Sequence, residues 1–456
     1  MREDGQPELA IEAFAAAYGA LVAGGTGLLP EAEITPVAAL PEVEALHGHL
    51  ERGERELGRL VVVKLNGGLG TSMGMERAKS LLMVKDGRTF LDLIAEQVVH
   101  LRKTLGVGLP LVLMDSFRTQ ADSLARLALH PGLAGQHVPF SFLQHRVPKV
   151  AAQSLGPVAQ QAGELGDTDL AWCPPGHGDI YLALQTSGLL EALRGAGYRW
   201  AFVSNSDNLG AVPDKDAQAI LGWMAAGGHP FVMECTRRTA ADRKGGHLAA
   251  SPTGGLLLRE VAQCPSEDLD AFQDIERHRY FNTNNLWVDL DAVAALVQAR
   301  GGALGLPVIR NKKPLDPAAS SGLGQTPVYQ LETAMGAAIS IFEGAAAVSV
   351  PRRRFAPVKT TNDLLVLRSD FYARGDDGLL TARRPEPPLV DLDPAHFKLI
   401  DDFEARVNAA PSLAEATHLV VRGDVRFGAG VVVRGQVEVR HAGPPLELAD
   451  TTLGPA

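Results

Sequence analysis

The chain has 456 residues, 46% of them hydrophobic and 21% charged, the balance of a globular protein with two or three domains and ample material for a core. Its formal net charge of −10 excludes a working surface built as a basic nucleic-acid face, although a few focused lysines still suffice to hold a phosphate. Cys173, Cys235 and Cys264 show no CxxC spacing, which excludes a disulfide framework and a zinc site and gives the expectation of a reduced, cytoplasmic chain. The opening MREDGQPELA carries no signal-peptide pattern, and no apolar stretch reaches the ~18 residues of a membrane span.

From Pro7 to about Leu50 the chain is rich in Ala, Leu and Glu, and Ile11, Phe14, Tyr18 and Leu21 fall at helical spacing before Gly24, Gly25 and Gly27 interrupt it. Residues 1–50 are therefore expected to form a helical extension packed on a main domain of residues 51–372. That domain opens with a strand at Leu60–Val63, and strand-like runs follow at Leu111–Met114, Phe140–Leu143, Trp200–Ser204 and Phe231–Cys235. Helical patterns such as Phe90–Leu101 and Asp216–Ala226 lie between them. Apolar strands alternating with helices imply an α/β fold whose mainly parallel sheet is covered on both faces, with ligands bound beyond the strands' carboxyl ends.

After Tyr372 the composition shifts. Residues 373–396, rich in Asp, Arg and Pro, read as a linker to a C-terminal domain that ends at residue 456. There Leu419, Val425, Val431 and Val437 recur every six residues, with Gly423, Gly428, Gly430 and Gly435 between them. This period suggests the coils of a β-helix; the alternative is an ordinary hairpin pair with alternating valines.

The loop Lys64-Leu65-Asn66-Gly67-Gly68-Leu69-Gly70-Thr71-Ser72-Met73-Gly74 follows a buried strand, with Lys79-Ser80 beyond. Its glycines let backbone N–H groups approach phosphate oxygens. It fits neither GxxxxGK[ST] nor GxGxxG, which disfavours a P-loop ATPase and a Rossmann dehydrogenase. In Trp172-Cys173-Pro174-Pro175-Gly176-His177-Gly178-Asp179, prolines and glycines around one histidine suit a phosphate or base contact. Phe202-Val203-Ser204-Asn205-Ser206-Asp207-Asn208 is a strand ending in polar residues, and an Asp there can hold Mg²⁺ against a triphosphate, unless it merely caps the next element. Amides and a carboxylate in Phe281-Asn282-Thr283-Asn284-Asn285 and Gln330-Leu331-Glu332-Thr333 suit sugar hydroxyls. Lys359, in Pro357-Val358-Lys359-Thr360, suits a phosphate. Arg352-Arg353-Arg354 reads as a solvated basic turn without a catalytic part. Lysines, glycine loops and a strand-end Asp, with no covalent nucleophile in sight, are the parts that phosphoryl or nucleotidyl transfer requires.

The strings KLNGGLGTSMG, PPGHGDIY, FVSNSDNLGA, FNTNNLWV, QLETAMGAA and RFAPVKTTNDLL, in this order, resemble the eukaryotic-type UTP–glucose-1-phosphate uridylyltransferase family. The match runs from about Gly58 to Tyr372, and more weakly through HLVVRGDVRFG. The resemblance implies a nucleotide-sugar transferase (Rossmann-like, GT-A-type) catalytic domain with a C-terminal left-handed β-helix. It implies that Leu65, Asn66, Gly67 and Gly68 line the nucleotide, that Lys79 meets the UTP phosphates, and that Gln144 and Gly176 contact the uracil. His177 would contact the sugar phosphate, and Asn205 and Asp207 would contact UTP, with Asp207 the Mg²⁺ ligand. Gly246, Asn284 and Glu332 would read glucose hydroxyls, and Lys359 would neutralise phosphates at the reacting centre. Two departures stand out. Arg77-Ala78 precedes Lys79 where the family usually has Gly-Pro, and Gln144-His145-Arg146 replaces the family's usual Gln-Ser.

The expected reaction is attack by glucose 1-phosphate on the α-phosphorus of UTP, with Mg²⁺ as cofactor and pyrophosphate released. The rivals are a broader UDP-sugar or N-acetylhexosamine 1-phosphate uridylyltransferase and a catalytically silent UTP-binding or assembly protein. No nucleic-acid or membrane partner is expected. The open edge of a β-helix makes a homo-oligomer through the C-terminal domain an expectation.

Overall fold

The computed structural model describes residues 1–158, 168–239, 242–252, 254–302, 304–316 and 322–455. The main sheet is built from β1 (Leu60–Asn66), β2 (Leu111–Asp115), β3 (Ser141–Leu143), β4 (Trp200–Asn205), β5 (Phe231–Arg237), β6 (His247–Ala250), β7 (Leu256–Arg259) and β8 (Tyr280–Asp289). Beyond the small three-stranded sheet that β9 (Val308–Pro314) and β10 (Pro327–Thr333) form with Val150–Ala151, β11 (Ala346–Ser349) joins the main sheet. Strands β4, β1, β2 and β3 lie side by side in parallel. On the other flank β8 runs antiparallel to both β4 and β5, and the β6–β7 hairpin joins its first half through His247 and Phe281. All five strand runs expected from the sequence are strands. The antiparallel β8 was not read as one, because its sequence is dominated by asparagine and threonine.

Alternation explains why β1 is apolar throughout. Leu60 and Val62 belong to one core and Val61 and Val63 to the other, so neither face of the sheet meets water. Helix α1 (Glu8–Val22) places Phe14, Tyr18 and Leu21 against Val150 and Leu331, as a packed extension requires. Helix α2 (Leu50–Glu56) follows a run of 3₁₀ turns over Val43–His49, and α3 (Phe90–Leu105) is started by a reciprocal Thr89–Asp92 capping box. Helix α4 (Lys215–Gly227) is capped by Asp214, which accepts the Ala217 N–H at 3.0 Å.

The C-terminal strands β12 (Leu389–Leu392), β13 (Ser412–Arg422), β14 (Val425–Phe427), β15 (Val432–Arg440), β16 (Leu446–Leu448) and β17 (Thr452–Leu453) pair in parallel, β12–β13–β15–β17 and β14–β16. Parallel pairing excludes the hairpin alternative. Leu419 lies opposite Val437, so three six-residue steps bring the chain once round a coil and stack Leu419 on Val437, with Val425 and Val431 buried between them. These side chains belong to the same apolar core as Leu365, Phe397 and the outer face of the main sheet. The stretch 373–396 is correspondingly not a bare linker: it contains the Tyr372–Arg374/Leu380–Ala382 hairpin and β12. Charges that read as solvated serve as ties there. Arg374 pairs with Asp86 and Glu96, and Arg384 donates to the Ala414 carbonyl at 2.6 Å.

One buried ion pair fixes the segment that follows β11. Arg354 and Glu234 are both 0% exposed and joined at 2.8 and 2.7 Å, the bidentate geometry of a guanidinium on a carboxylate. Trp287 Nε1 and Asn285 Nδ2 also donate to Glu234, and Arg354 reaches Asp214 at 2.5 Å and the Val212 carbonyl at 3.1 Å. Burial alone would lower the Arg354 pKa, but Glu234 and Asp214 outweigh it and the guanidinium stays charged. The carbonyl of Arg354 accepts from Asn208 and Asn285, and Asn208 Oδ1 in turn accepts the Ala356 N–H. The reading of Arg352–Arg354 as a solvated turn is thus corrected. Arg352 pairs with Asp242, Arg353 with Asp216, and Arg354 is core. Substituting Glu234→Gln removes the bidentate partner and leaves the buried guanidinium to Asp214 alone, and urea titration should show a loss of about 3–5 kcal/mol. A change below about 1 kcal/mol, the worth of a surface pair, would rule out this role.

Candidate active site

The parallel strands end together on one side, and β1 runs straight into the glycine loop there. Asn66 turns its side chain down, donating through Nδ2 to Asp115 Oδ1 and Ser123 Oγ, both at 2.7 Å. Asn66 Oδ1 is buried without a hydrogen-bond partner. The loop is closed by the Lys79 N–H, which donates to the Gly68 carbonyl at 3.0 Å. Gln144 extends β3, donating its N–H to the Asp115 carbonyl at 2.8 Å, and its carboxamide lies so close to Gly67 that a Cβ there would overlap it. A side chain at Gly67 would displace the Gln144 carboxamide from its present position. Leu65 pairs with Asn205 across β1 and β4, and its carbonyl accepts the Ser206 N–H at 3.1 Å. In this way the loop, Gln144 and the polar end of β4 are built against one another.

Asp207 is 7% exposed, and its Oδ2 accepts from Lys79 Nζ at 2.7 Å and from Lys359 Nζ at 3.1 Å. Burial pushes this carboxyl up, but Lys359 and Lys79 together hold it below the usual carboxylate range. Lys79 also donates to the Val358 carbonyl, and the Val358 N–H reaches the Asp207 carbonyl at 3.3 Å. Asp207 Oδ1 is buried without a hydrogen-bond partner. Lys359 sits before helix α5 (Thr361–Arg368), whose Thr360–Asp363 capping box also takes the Lys359 N–H. Its side chain is 56% exposed, against 15% for Lys79. One lysine is thus locked under the loop and the other stands at its mouth.

The third wall carries His177, which follows Gly176 (φ 83°). His177 Nδ1 accepts the Met335 N–H at 3.0 Å, which leaves the Nε2–H as donor. Burial, with Lys359 nearby, lowers its pKa to about 4, so the ring is neutral at physiological pH. Next to it, β8 bulges. Register shifts between Glu234 and Cys235, so that Glu234 faces Asn285 and Cys235 faces Asn282, and Thr283 and Asn284 are extruded. Asn284 takes φ 57°, held by its N–H on Asn282 Oδ1 at 2.9 Å and by Asn282 Nδ2 on its own Oδ1 at 2.8 Å. Such a conformation costs of order 1–3 kcal/mol in a non-glycine residue and concentrates at functional sites. The Asn282 N–H also reaches the Gly246 carbonyl at 3.1 Å.

Glu332 lies beside His177's turn, its Cβ 3.0 Å from where a Gly176 Cβ would be. Its carboxylate accepts from Asn311 at 2.8 Å and faces Lys313 at 3.4 Å across the β9–β10 ladder, and among the described residues no hydrogen bond or ion pair joins it to Gly246 or Asn284. The carboxyl that does meet Gly246 is Glu260, whose oxygens lie 2.6 Å from where a Gly246 Cβ would be. Burial raises the pKa of Glu260 to about 7. Sequence reading missed it because Glu260 faces Gly246 only through the β6–β7 pairing of His247 with Arg259. The Arg354–Glu234 pair was missed for the same reason. No group of three or more His, Cys, Asp or Glu side chains with metal-binding geometry occurs among the described residues, and the three cysteines are free and buried. No described helix is long and apolar enough to cross a membrane.

Comparison with known proteins matches residues 14–434 to the UTP–glucose-1-phosphate uridylyltransferase family model. The barley (Hordeum vulgare) UTP–glucose-1-phosphate uridylyltransferase is 42% identical over 406 residues, 86% of this chain and 80% of the barley protein. The potato (Solanum tuberosum) enzyme is 41% identical over 400 residues, again 86% and 80%. Among solved structures, a Leishmania major UDP-glucose pyrophosphorylase mutant in complex with UDP-glucose superposes with a TM-score of 0.89 at 44% identity, covering 100% of this chain and 98% of that one. A Trypanosoma brucei UDP-glucose phosphorylase gives a TM-score of 0.88 at 43% identity, covering 99% and 97%. With agreement over nearly the whole length in both sequence and fold, this chain belongs to the UTP–glucose-1-phosphate uridylyltransferase family.

Proposed function

We propose that this protein forms UDP-glucose and pyrophosphate from UTP and glucose 1-phosphate at the carboxyl ends of β1, β3 and β4. The observation that carries the proposal is the convergence of Lys79 and Lys359 on Asp207 at the mouth of the glycine loop. A phosphate oxygen of glucose 1-phosphate bonds to the α-phosphorus as the bond from that phosphorus to the bridging oxygen breaks. The electron pair leaves with pyrophosphate, and because the nucleophile is already an anion no general base is needed. The barrier is largely the approach of two anions, which the lysines lower electrostatically. Uracil rests against Gln144 and Gly176, and the loop backbone from Leu65 to Gly68 and the Asn205 side chain line the nucleotide. His177, neutral at working pH, donates from Nε2 to the sugar phosphate without adding a titration of its own.

Asp207 fits a Mg²⁺ ion: its Oδ1 is buried without a partner, and a single carboxylate completed by phosphate oxygens and water is the usual Mg²⁺ arrangement. When bound, the ion supplies further neutralisation of the phosphate charge. On the sugar side we assign Gly246, Asn284 and Glu332 to the glucose hydroxyls, the Glu332 carboxylate being oriented by Asn311 and Lys313, and add Glu260, whose oxygens face Gly246. The parallel-centred mixed sheet and the eighteen-residue step from Leu419 to Val437 support a GT-A-type catalytic domain over 51–372, behind an N-terminal extension over 1–50. They equally support a left-handed β-helix as the body of 373–456. Three buried free thiols favour a cytoplasmic location. The edge of β17 is a candidate surface for homo-oligomers, which light scattering would detect.

A panel of sugar 1-phosphates with UTP, scored by pyrophosphate release, tests the proposal directly. Glucose 1-phosphate should be preferred, and equal turnover of N-acetylhexosamine 1-phosphates would favour the broader transferase. Lys359→Ala should lower turnover by about 10²-fold or more, and near-normal turnover would remove Lys359 from the mechanism. Glu260→Gln should raise the KM for glucose 1-phosphate by roughly tenfold while leaving that for UTP nearly unchanged, the effect of losing one charge-assisted hydrogen bond. EDTA should abolish pyrophosphate release and excess Mg²⁺ restore it.

A further inference from the structure

Gln144 and His177 lie on separate segments, yet a single buried side-chain pair connects the two. Asp179, two residues after His177 and 5% exposed, accepts the backbone N–H of His145 on Oδ2 at 2.7 Å and contacts His145 Nδ1 through Oδ1 at 2.8 Å. His145, 7% exposed, follows Gln144 directly. The other ring nitrogen, Nε2, lies 2.9 Å from Thr186 Oγ1 at the far end of the Ile180–Thr186 helix, which the His177–Asp179 turn enters. One imidazole therefore ties both ends of that helix to the residue beside Gln144. On the opposite side Arg146 is held by Asp4 at 2.7 Å and lies over the rings of Phe117 and Trp172. Gln144 itself has the Gly67 backbone against its carboxamide, so small movements of the 144–146 segment are transmitted to the base side of the cleft.

We propose that the His145–Asp179 pair is a positioning strut that sets the separation of the base-reading and sugar-phosphate-reading segments, so that it governs nucleotide-base discrimination and glucose 1-phosphate binding together. The proposal rests on the assignment of Gln144 to uracil and His177 to the sugar phosphate. Neither strut residue touches substrate. Their loss acts through Gln144 and His177, which makes a joint effect on both substrates the distinguishing sign. A residue that merely supported the fold would lower stability and active-enzyme yield without altering the choice between bases.

The test is steady-state kinetics of the full chain with UTP and CTP for His145→Ala, Asp179→Asn and His145→Asn, with Gln144→Ala alongside. For His145→Ala and Asp179→Asn, the KM values for UTP and glucose 1-phosphate should both rise by about tenfold, the worth of one hydrogen bond, with a smaller change in kcat. The UTP-over-CTP preference in kcat/KM should fall by a similar factor. His145→Asn, whose amide N–H can take the place of Nδ1–H, should recover most of the preference. Asp179→Asn keeps the side-chain volume and serves if His145→Ala does not fold. A rise in only one KM, or an unchanged base preference in folded His145→Ala and Asp179→Asn, overturns the strut. Gln144→Ala separates the two ideas. If it loses base preference while the strut variants keep it, the strut alone is wrong; if it keeps base preference, the base assignment is wrong and the strut falls with it.

Discussion

The arrangement of this molecule depends on a charge placed where water cannot reach. Glu234 and Arg354 satisfy each other and almost every polar group around them, among them Trp287, Asn285, Asp214 and the Val212 carbonyl. Two buried ions gain little net stability from one another after desolvation, but losing either is costly, so such a pair specifies one arrangement rather than simply strengthening the fold. Here that arrangement is the path of residues 350–361 across the ends of β4, β5 and β8. The Arg354 carbonyl, Asn208 and the Ala356 N–H carry the constraint forward to the turn that holds Lys359. Lys359 reaches Asp207 because Arg354 cannot leave Glu234.

At the active centre the same physics is used at lower cost. Asp207 is buried but lies between two ammonium groups, and its remaining oxygen is unpaired. A carboxylate shared by two lysines keeps both cations aimed into the cleft before any phosphate arrives. On the function proposed above, that is preorganisation: the positive charge for the reacting phosphorus would already be in place and would not have to be recruited from solvent. The two lysines differ in mobility, since Lys79 is tied to the Val358 carbonyl and the loop while Lys359 is mostly exposed. Ala78, in the place of a proline, precedes a lysine already secured by its own backbone bond to Gly68, so the missing φ constraint is made up by tertiary contacts.

Much of this was legible in the chain. The run Leu60–Val63 announced a strand covered on both faces, the glycines after it announced the turn that leaves it, and the six-residue period announced the register that pairs Leu419 with Val437 in parallel strands. Each is a local pattern whose physical cause acts on neighbours in sequence. The readings that failed have the opposite character. Arg352–Arg354 looked solvated because three consecutive charges usually are, and nothing nearby reveals that Glu234, more than a hundred residues earlier, closes on the third. Residues 373–396 looked like a linker because Asp, Arg and Pro seldom build structure alone, yet here they dock on α3 and the coil stack. Glu260 was not picked out at all, because only strand pairing puts it against Gly246.

By itself the sequence determined five strands of the main sheet, the glycine loop, the family and the positions of the two lysines, because periodicity, backbone conformational freedom and motif spacing are written between near neighbours. The tertiary structure alone decided that the two lysines share one carboxylate and that a bulge in β8 extrudes Asn284 at φ 57°. It alone decided that the Asp179 carboxyl holds the residue next to Gln144. These are pairings across long separations, and their energy comes from removing charged and polar groups from water together. No stretch of sequence read in isolation contains that energy, since each partner taken alone would prefer to remain solvated.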